Sequence, residues 1–254
     1  MKKLLAITAL SAALFFGQTA AAEEKAAEEV KPSHVEMVLV LDESGSMSNL
    51  TNDTIGGFNS MIEKEKKLDV DAHVTTVLFN DQYKMLYNRR ELKDVSKMTD
   101  KDYTPGGMTA LLDAVGRTIH KMDMVAGIHR KDKGNKVLFV IITDGEENDS
   151  KEYTYADVKK LIKDRQENAG WEFIFLGANI DAVAAAENLG IDRDRAVKYK
   201  NTGSGVRANF KAVAELSDSL AKSGRVSDEW KETVEKDEDD AADKQSAAVT
   251  LHRR

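Results

Sequence analysis

Four short runs of almost unbroken apolar residues, at 35–41, 72–79, 137–142 and 171–176, constrain this chain more than any other feature. Each is rich in β-branched or aromatic side chains and too short for a buried helix. Such runs belong to strands covered on both faces, as in a parallel sheet. The segment 83–87 alternates more plainly and predicts an antiparallel edge strand, reached through a turn at Asn80 and Asp81. Between the runs the period changes to that of helices. Ile55, Phe58 and Ile62 share one face, as do Leu112, Val115, Ile119 and Met122. Val158, Leu161 and Ile162 mark a third helix, 182–189 a fourth, and 206–220 a fifth carrying Phe210, Val213, Leu216 and Leu220. Strand and helix in alternation predict an α/β fold: a doubly wound, mostly parallel sheet with helices on both faces and one antiparallel edge strand.

The ends read differently from the middle. Lys2 and Lys3 precede an apolar run, and Ala20, Ala21 and Ala22 precede an abrupt polar stretch. That order predicts a signal peptide over 1–22 and an exported product, periplasmic or secreted. The apolar run falls short of the ~20 residues a spanning helix needs, so no membrane span is expected after cleavage. Residues 23–33 form a charged spacer, 34–200 the α/β domain, 201–232 a helical extension and 233–254 an acidic, solvated tail. The net charge is −7, and no basic stripe interleaved with aromatics occurs, which argues against a nucleic-acid partner.

Three polar clusters fall where the carboxyl ends of the strands belong, the edge at which open α/β sheets bind ligands. The first run leads into Asp42-Glu43-Ser44-Gly45-Ser46, Thr109 follows Pro105-Gly106-Gly107-Met108, and the third run ends in Thr143-Asp144-Gly145. Two carboxylates and three hydroxyls thereby converge. An all-oxygen set of this kind suits a hard divalent cation, Mg²⁺ first, with Mn²⁺ or Ca²⁺ as variants. A transition-metal site calls for imidazole or thiolate. The chain has no cysteine, and its five histidines lie outside this constellation.

Asp42-x-Ser44-x-Ser46, Thr109 after a glycine pair, and Asp144 before Gly145 resemble the metal-ion-dependent adhesion site of the von Willebrand factor type A domain family. The resemblance spans roughly residues 34–200. It implies that Ser44, Ser46 and Thr109 touch the metal, that Asp42 and Asp144 act directly or through water, and that an Asp or Glu from a protein partner completes the shell. It also implies adhesion or protein assembly rather than catalysis. The rival from another class is a metal-dependent phosphatase or other hydrolase, which usually places a nucleophilic or second metal-binding carboxylate where this chain has Ser44. Glu146, Glu147 and Asp149 are expected as a solvated loop, with an acidic rim that also takes in Glu43 as the alternative, and Gly56-Gly57 as a point of close helix–sheet packing.

Overall fold

The computed structural model of the chain describes residues 34–125 and 135–236. The expected signal peptide, the charged spacer and residues 237–254 of the expected tail lie outside the described residues, while residues 233–236, expected as solvated tail, are helical with Val234 buried.

The apolar runs form the strands β1 (His34–Asp42), β2 (Ala72–Phe79), β4 (Asn135–Thr143) and β5 (Glu172–Gly177). The alternating segment is β3 (Tyr83–Glu91), antiparallel to β2 at the sheet edge, and β6 (Ala196–Lys198) closes the other edge. The spatial order is β3-β2-β1-β4-β5-β6, with all pairings parallel except β2–β3. No periodic signal foretold β6, because three residues are too few to show one.

Helices cover both faces. They are α1 (Thr51–Lys67), α2 (Leu111–Asp123), α3 (Tyr155–Asp164), α4 (Ala182–Leu189) and α5 (Gly203–Ser223). Side chains alternate across a strand, so β1 feeds two cores. Val35, Met37, Leu39 and Leu41 pack with Phe58 and Met61 of α1 and with Phe210, Val213 and Leu216 of α5. Val38 and Val40 pack with Val115 and Ile119 of α2, Val158 and Ile162 of α3, and Ala186 of α4. Double coverage explains why the strands read as continuous hydrophobic runs. No helix among the described residues is long and apolar enough to cross a membrane.

Gly57 serves a different contact from the expected helix–sheet approach. A Cβ there would meet the Phe210 ring at 2.5 Å, so the missing side chain lets α1 and α5 close on each other. The edge-on pair of Phe58 and Phe210, with centroids 6.2 Å apart, fills the seam beside it.

The chain winds outward from β1 through β2 to β3, then returns to β4 on the other side of β1. The strand order therefore reverses between β1 and β4, the switch point at which such sheets leave a crevice beyond their carboxyl ends. Asp42 ends β1, and Thr143 ends β4.

A candidate metal centre at the sheet's switch point

Asp42 leaves β1 almost fully buried, with both carboxylate oxygens engaged. Ser44 N donates to Oδ1 at 2.7 Å, and Thr143 Oγ1 donates to Oδ2 at 2.6 Å. Its own carbonyl accepts from Tyr103 OH at 2.6 Å. Burial drives the Asp42 carboxyl above its ordinary range. The Ser44 and Thr143 bonds pull the other way, and nearby Asp144 adds to the rise. Two buried carboxylates held close together are costly unless a cation accompanies them.

The turn after β1 brings Ser44 Oγ within 3.0 Å of Ser46 Oγ. Ser46 Oγ in turn donates to Asp144 Oδ1 at 2.5 Å, across to the end of β4. Thr109 arrives from the loop before α2. It does not cap that helix, whose cap position is Ala110. A Cβ on Gly145 would sit 3.8 Å from Thr109 Oγ1 and 4.0 Å from Ser46 Oγ, so both hydroxyls lie beside the Asp144–Gly145 turn. The structure thus brings together all five oxygen-bearing residues singled out from the sequence. Adjacent ligands of a Mg²⁺ octahedron stand about 2.9 Å apart, given bonds of ~2.0–2.1 Å. The Ser44–Ser46 spacing matches that edge, and the donor set fits a hard cation.

The Thr109 loop is pinned from three sides. Gly45 N donates to Gly107 O at 3.2 Å, Gly106 N to Glu43 O at 2.9 Å, and Asn80 Nδ2 to Gly106 O at 2.8 Å. Gly107 has φ +76°, and a Cβ there would collide with Asp81, so the position admits only glycine without strain. Asn148 Oδ1 accepts from Thr109 N at 2.8 Å, fixing the backbone whose hydroxyl faces the site.

The acidic rim is only partly present, because two of its four members turn inward. Glu43 is buried, its Oε1 accepting from Thr104 N and lying 3.5 Å from Lys84 Nζ. Glu147 accepts from Asp149 N, Ser150 N and Leu112 N at 2.9, 2.7 and 3.0 Å, which commits it to holding its own loop and the start of α2. Glu146 remains exposed. It borders a pocket of about 280 Å³ shared with Gly145, Tyr155 and Asp181. Met108, beside Thr109, is 51% exposed.

Several supporting residues escaped sequence reasoning. Asn201 Nδ2 donates to Asp144 Oδ2 at 3.2 Å from a loop far along the chain, with no local signal to betray it. Thr143 adjoins Asp144 in sequence, yet only the pairing of β1 with β4 shows that it serves Asp42.

The fold has counterparts among solved structures. The vWF domain of the type V pili tip protein Mfa5 from Porphyromonas gingivalis aligns with a TM-score of 0.53 at 12% identity, covering 78% of this chain and 99% of that one. The pilus adhesin SpaC from Lactobacillus rhamnosus GG gives 0.54 at 15% identity, over 74% of this chain and 31% of that one. The PilB minor pilin from Streptococcus sanguinis gives 0.53 at 12% identity, over 72% and 61%. This chain thus spans less than two thirds of SpaC and of PilB. At these identities the likeness establishes the fold. Among curated protein sequences none matches this chain. The model of the vWA domain found in the TerF C terminus matches residues 34–199, well over half of the sequence, and the chain belongs to this vWA-TerF-like family.

Proposed function

We propose that this protein is an exported, non-enzymatic binding module that holds a protein partner through Mg²⁺ at the carboxyl edge of its sheet. Ser44, Ser46 and Thr109 hold the ion through neutral oxygens, and Asp42 and Asp144 balance its charge directly or through water. The bound ion supplies one electrophilic position, which an Asp or Glu carboxylate of the partner fills. The observation that carries this reading is the convergence of Ser44, Ser46 and Asp144 oxygens on one point beside the buried Asp42. Asp42 has both oxygens occupied as acceptors, which suits a fixed structural anion better than the nucleophile a phosphatase needs. The fold's occurrence in a pilus tip protein and a pilus adhesin supports an adhesive role outside the cell.

The test is a melting-temperature titration with Mg²⁺. A ligand at ~100 times its dissociation constant adds about 2.7 kcal/mol when it binds only the native state. Wild type rises with Mg²⁺, and Asp42→Ala loses that response. Without metal, Asp42→Ala relieves the repulsion from Asp144 but leaves Ser44 N and Thr143 Oγ1 without their acceptor, so the diagnostic readout is the lost Mg²⁺ response rather than the metal-free melting temperature. A wild-type melting temperature that stays flat up to saturating Mg²⁺ contradicts the site.

A further inference from the structure

The opposite end of the sheet carries a second cluster of a different chemistry. His34 and Glu36 lie two residues apart on β1, on the same face, and His73 on β2 stands directly beside Glu36. From His34 to Asp42 the strand rises about 26 Å, so this cluster is remote from the oxygen site. His73 Nδ1 is 2.9 Å from His34 Nε2, His34 Nε2 is 3.3 Å from Glu36 Oε1, and His73 Nδ1 is 3.4 Å from that same oxygen. Three ligand atoms of a tetrahedral zinc ion stand about 3.3 Å apart, given bonds of ~2.0–2.1 Å. The triangle of His34 Nε2, His73 Nδ1 and Glu36 Oε1 has nearly those edges.

Two further contacts fit the same geometry. The other ring nitrogen of His34, Nδ1, lies 3.0 Å from Asp71 Oδ1. A carboxylate there fixes the tautomer that leaves Nε2 free to ligate, and it raises the basicity of that nitrogen. Arg89 approaches from β3 at a bulge, where its backbone takes φ +47°, an uncommon conformation for a non-glycine residue. The bulge aims the guanidinium at Glu36: Nε lies 3.0 Å from Oε2, while Nη2 reaches Oε1 and stands 3.3 Å from His73 Nδ1. Arg89 thus sets a cation against two of the three ligands, Glu36 and His73, and it can keep Oε2 when a metal ion arrives.

We propose that His34, Glu36 and His73 form a second metal site, selective for zinc or a similar imidazole-preferring divalent ion. Nε2 of His34, Nδ1 of His73 and Oε1 of Glu36 are its protein ligands, and a fourth position faces solvent past His73, whose side chain is 26% exposed. Two imidazoles and one carboxylate favour zinc over Mg²⁺. The two ends of the sheet then bind ions of different class, independently of each other.

The test titrates Zn²⁺, and Co²⁺ as a spectroscopic probe, into tag-free protein by calorimetry and visible absorption. Asp42→Ala, which disables the oxygen site, is expected to retain one equivalent of Zn²⁺ and the absorption of four-coordinate Co²⁺. His73→Ala and His34→Ala, each checked for a cooperative melt in EDTA, lose that equivalent in the Asp42→Ala background. Asp71→Asn weakens it about tenfold. Arg89→Gln tightens it, since the competing guanidinium is gone. The proposal is overturned if Asp42→Ala takes up no Zn²⁺, or if both histidine variants bind it as the parent does. Failure of the Mg²⁺ response alone leaves these outcomes unchanged, so the two sites are judged separately.

Discussion

Thr143 Oγ1 donates to Asp42 Oδ2 at 2.6 Å, joining the ends of the two parallel strands between which the strand order reverses. The bond is fully buried and spans two strands that sequence separates widely. Thr143→Val keeps the shape and removes the donor, leaving a buried carboxylate oxygen without its partner. The expected cost is about 1–3 kcal/mol in urea unfolding, with weaker Mg²⁺ binding alongside. A variant as stable as wild type, with unchanged Mg²⁺ affinity, speaks against this role.

The seam between α1 and α5 predicts a steric effect. Gly57→Ala places a methyl group 2.5 Å from the Phe210 ring. Overpacking of this kind costs about 1–3 kcal/mol. Phe210→Leu in the same chain recovers part of the loss, so the double-mutant cycle shows a favourable coupling. Additive effects mean that the two residues do not meet.

Glu65 predicts a pH dependence. Its side chain is fully buried, with Ser217 Oγ donating to Oε2 at 2.8 Å. Burial lifts its carboxyl from 4.5 to about 7, against the Ser217 bond, with Asp218 adding to the rise. Between those values the native state holds a proton that the unfolded chain has lost. Stability from this group is therefore complete below about pH 4.5, falls as pH rises through about 7, and stays flat above. Glu65→Gln removes that slope and stabilises the protein at pH 8 by on the order of 1–3 kcal/mol. Parallel pH–stability curves for variant and wild type contradict it.

Much of this was legible in the sequence, for identifiable reasons. The strands announced themselves because both faces are covered, and the helices because apolar residues such as Ile55, Phe58 and Ile62, or Leu112, Val115 and Ile119, repeat at helical spacing. The five oxygen-bearing residues showed because three of them sit in one short turn after β1. The directions of side chains were not legible. Glu43 and Glu147 read as a rim from proximity in sequence, whereas backbone N–H groups of folded loops draw them inward. Asn201 and Tyr103 support the site from distant loops, and only the fold brings them there. His34 and His73 drew no attention in the sequence because strand pairing alone sets them side by side.

Thr109 and Glu146 separate coordination from steering. On the proposed metal-bridged contact, Thr109→Ala is expected to weaken partner binding at every ionic strength, because it removes one of the oxygens that would hold the ion. Glu146→Lys changes an exposed charge beside the opening, so it alters association rate chiefly at low salt, where screening is weak. Glu147 is unsuited to this experiment, because its replacement also releases the loop it holds. A salt-independent effect of Glu146→Lys contradicts the assignment of steering to that side chain.

The most direct test of the central claim is the affinity for a partner captured from an envelope fraction, measured in saturating Mg²⁺ and again in EDTA. If a partner carboxylate completes the metal shell, EDTA weakens binding by about two orders of magnitude or more, mainly through faster dissociation. Replacing that one partner Asp or Glu by its amide has a similar effect in Mg²⁺ and none in EDTA. Equal affinity under both conditions contradicts a metal-bridged contact, even with the fold and the five converging residues as described.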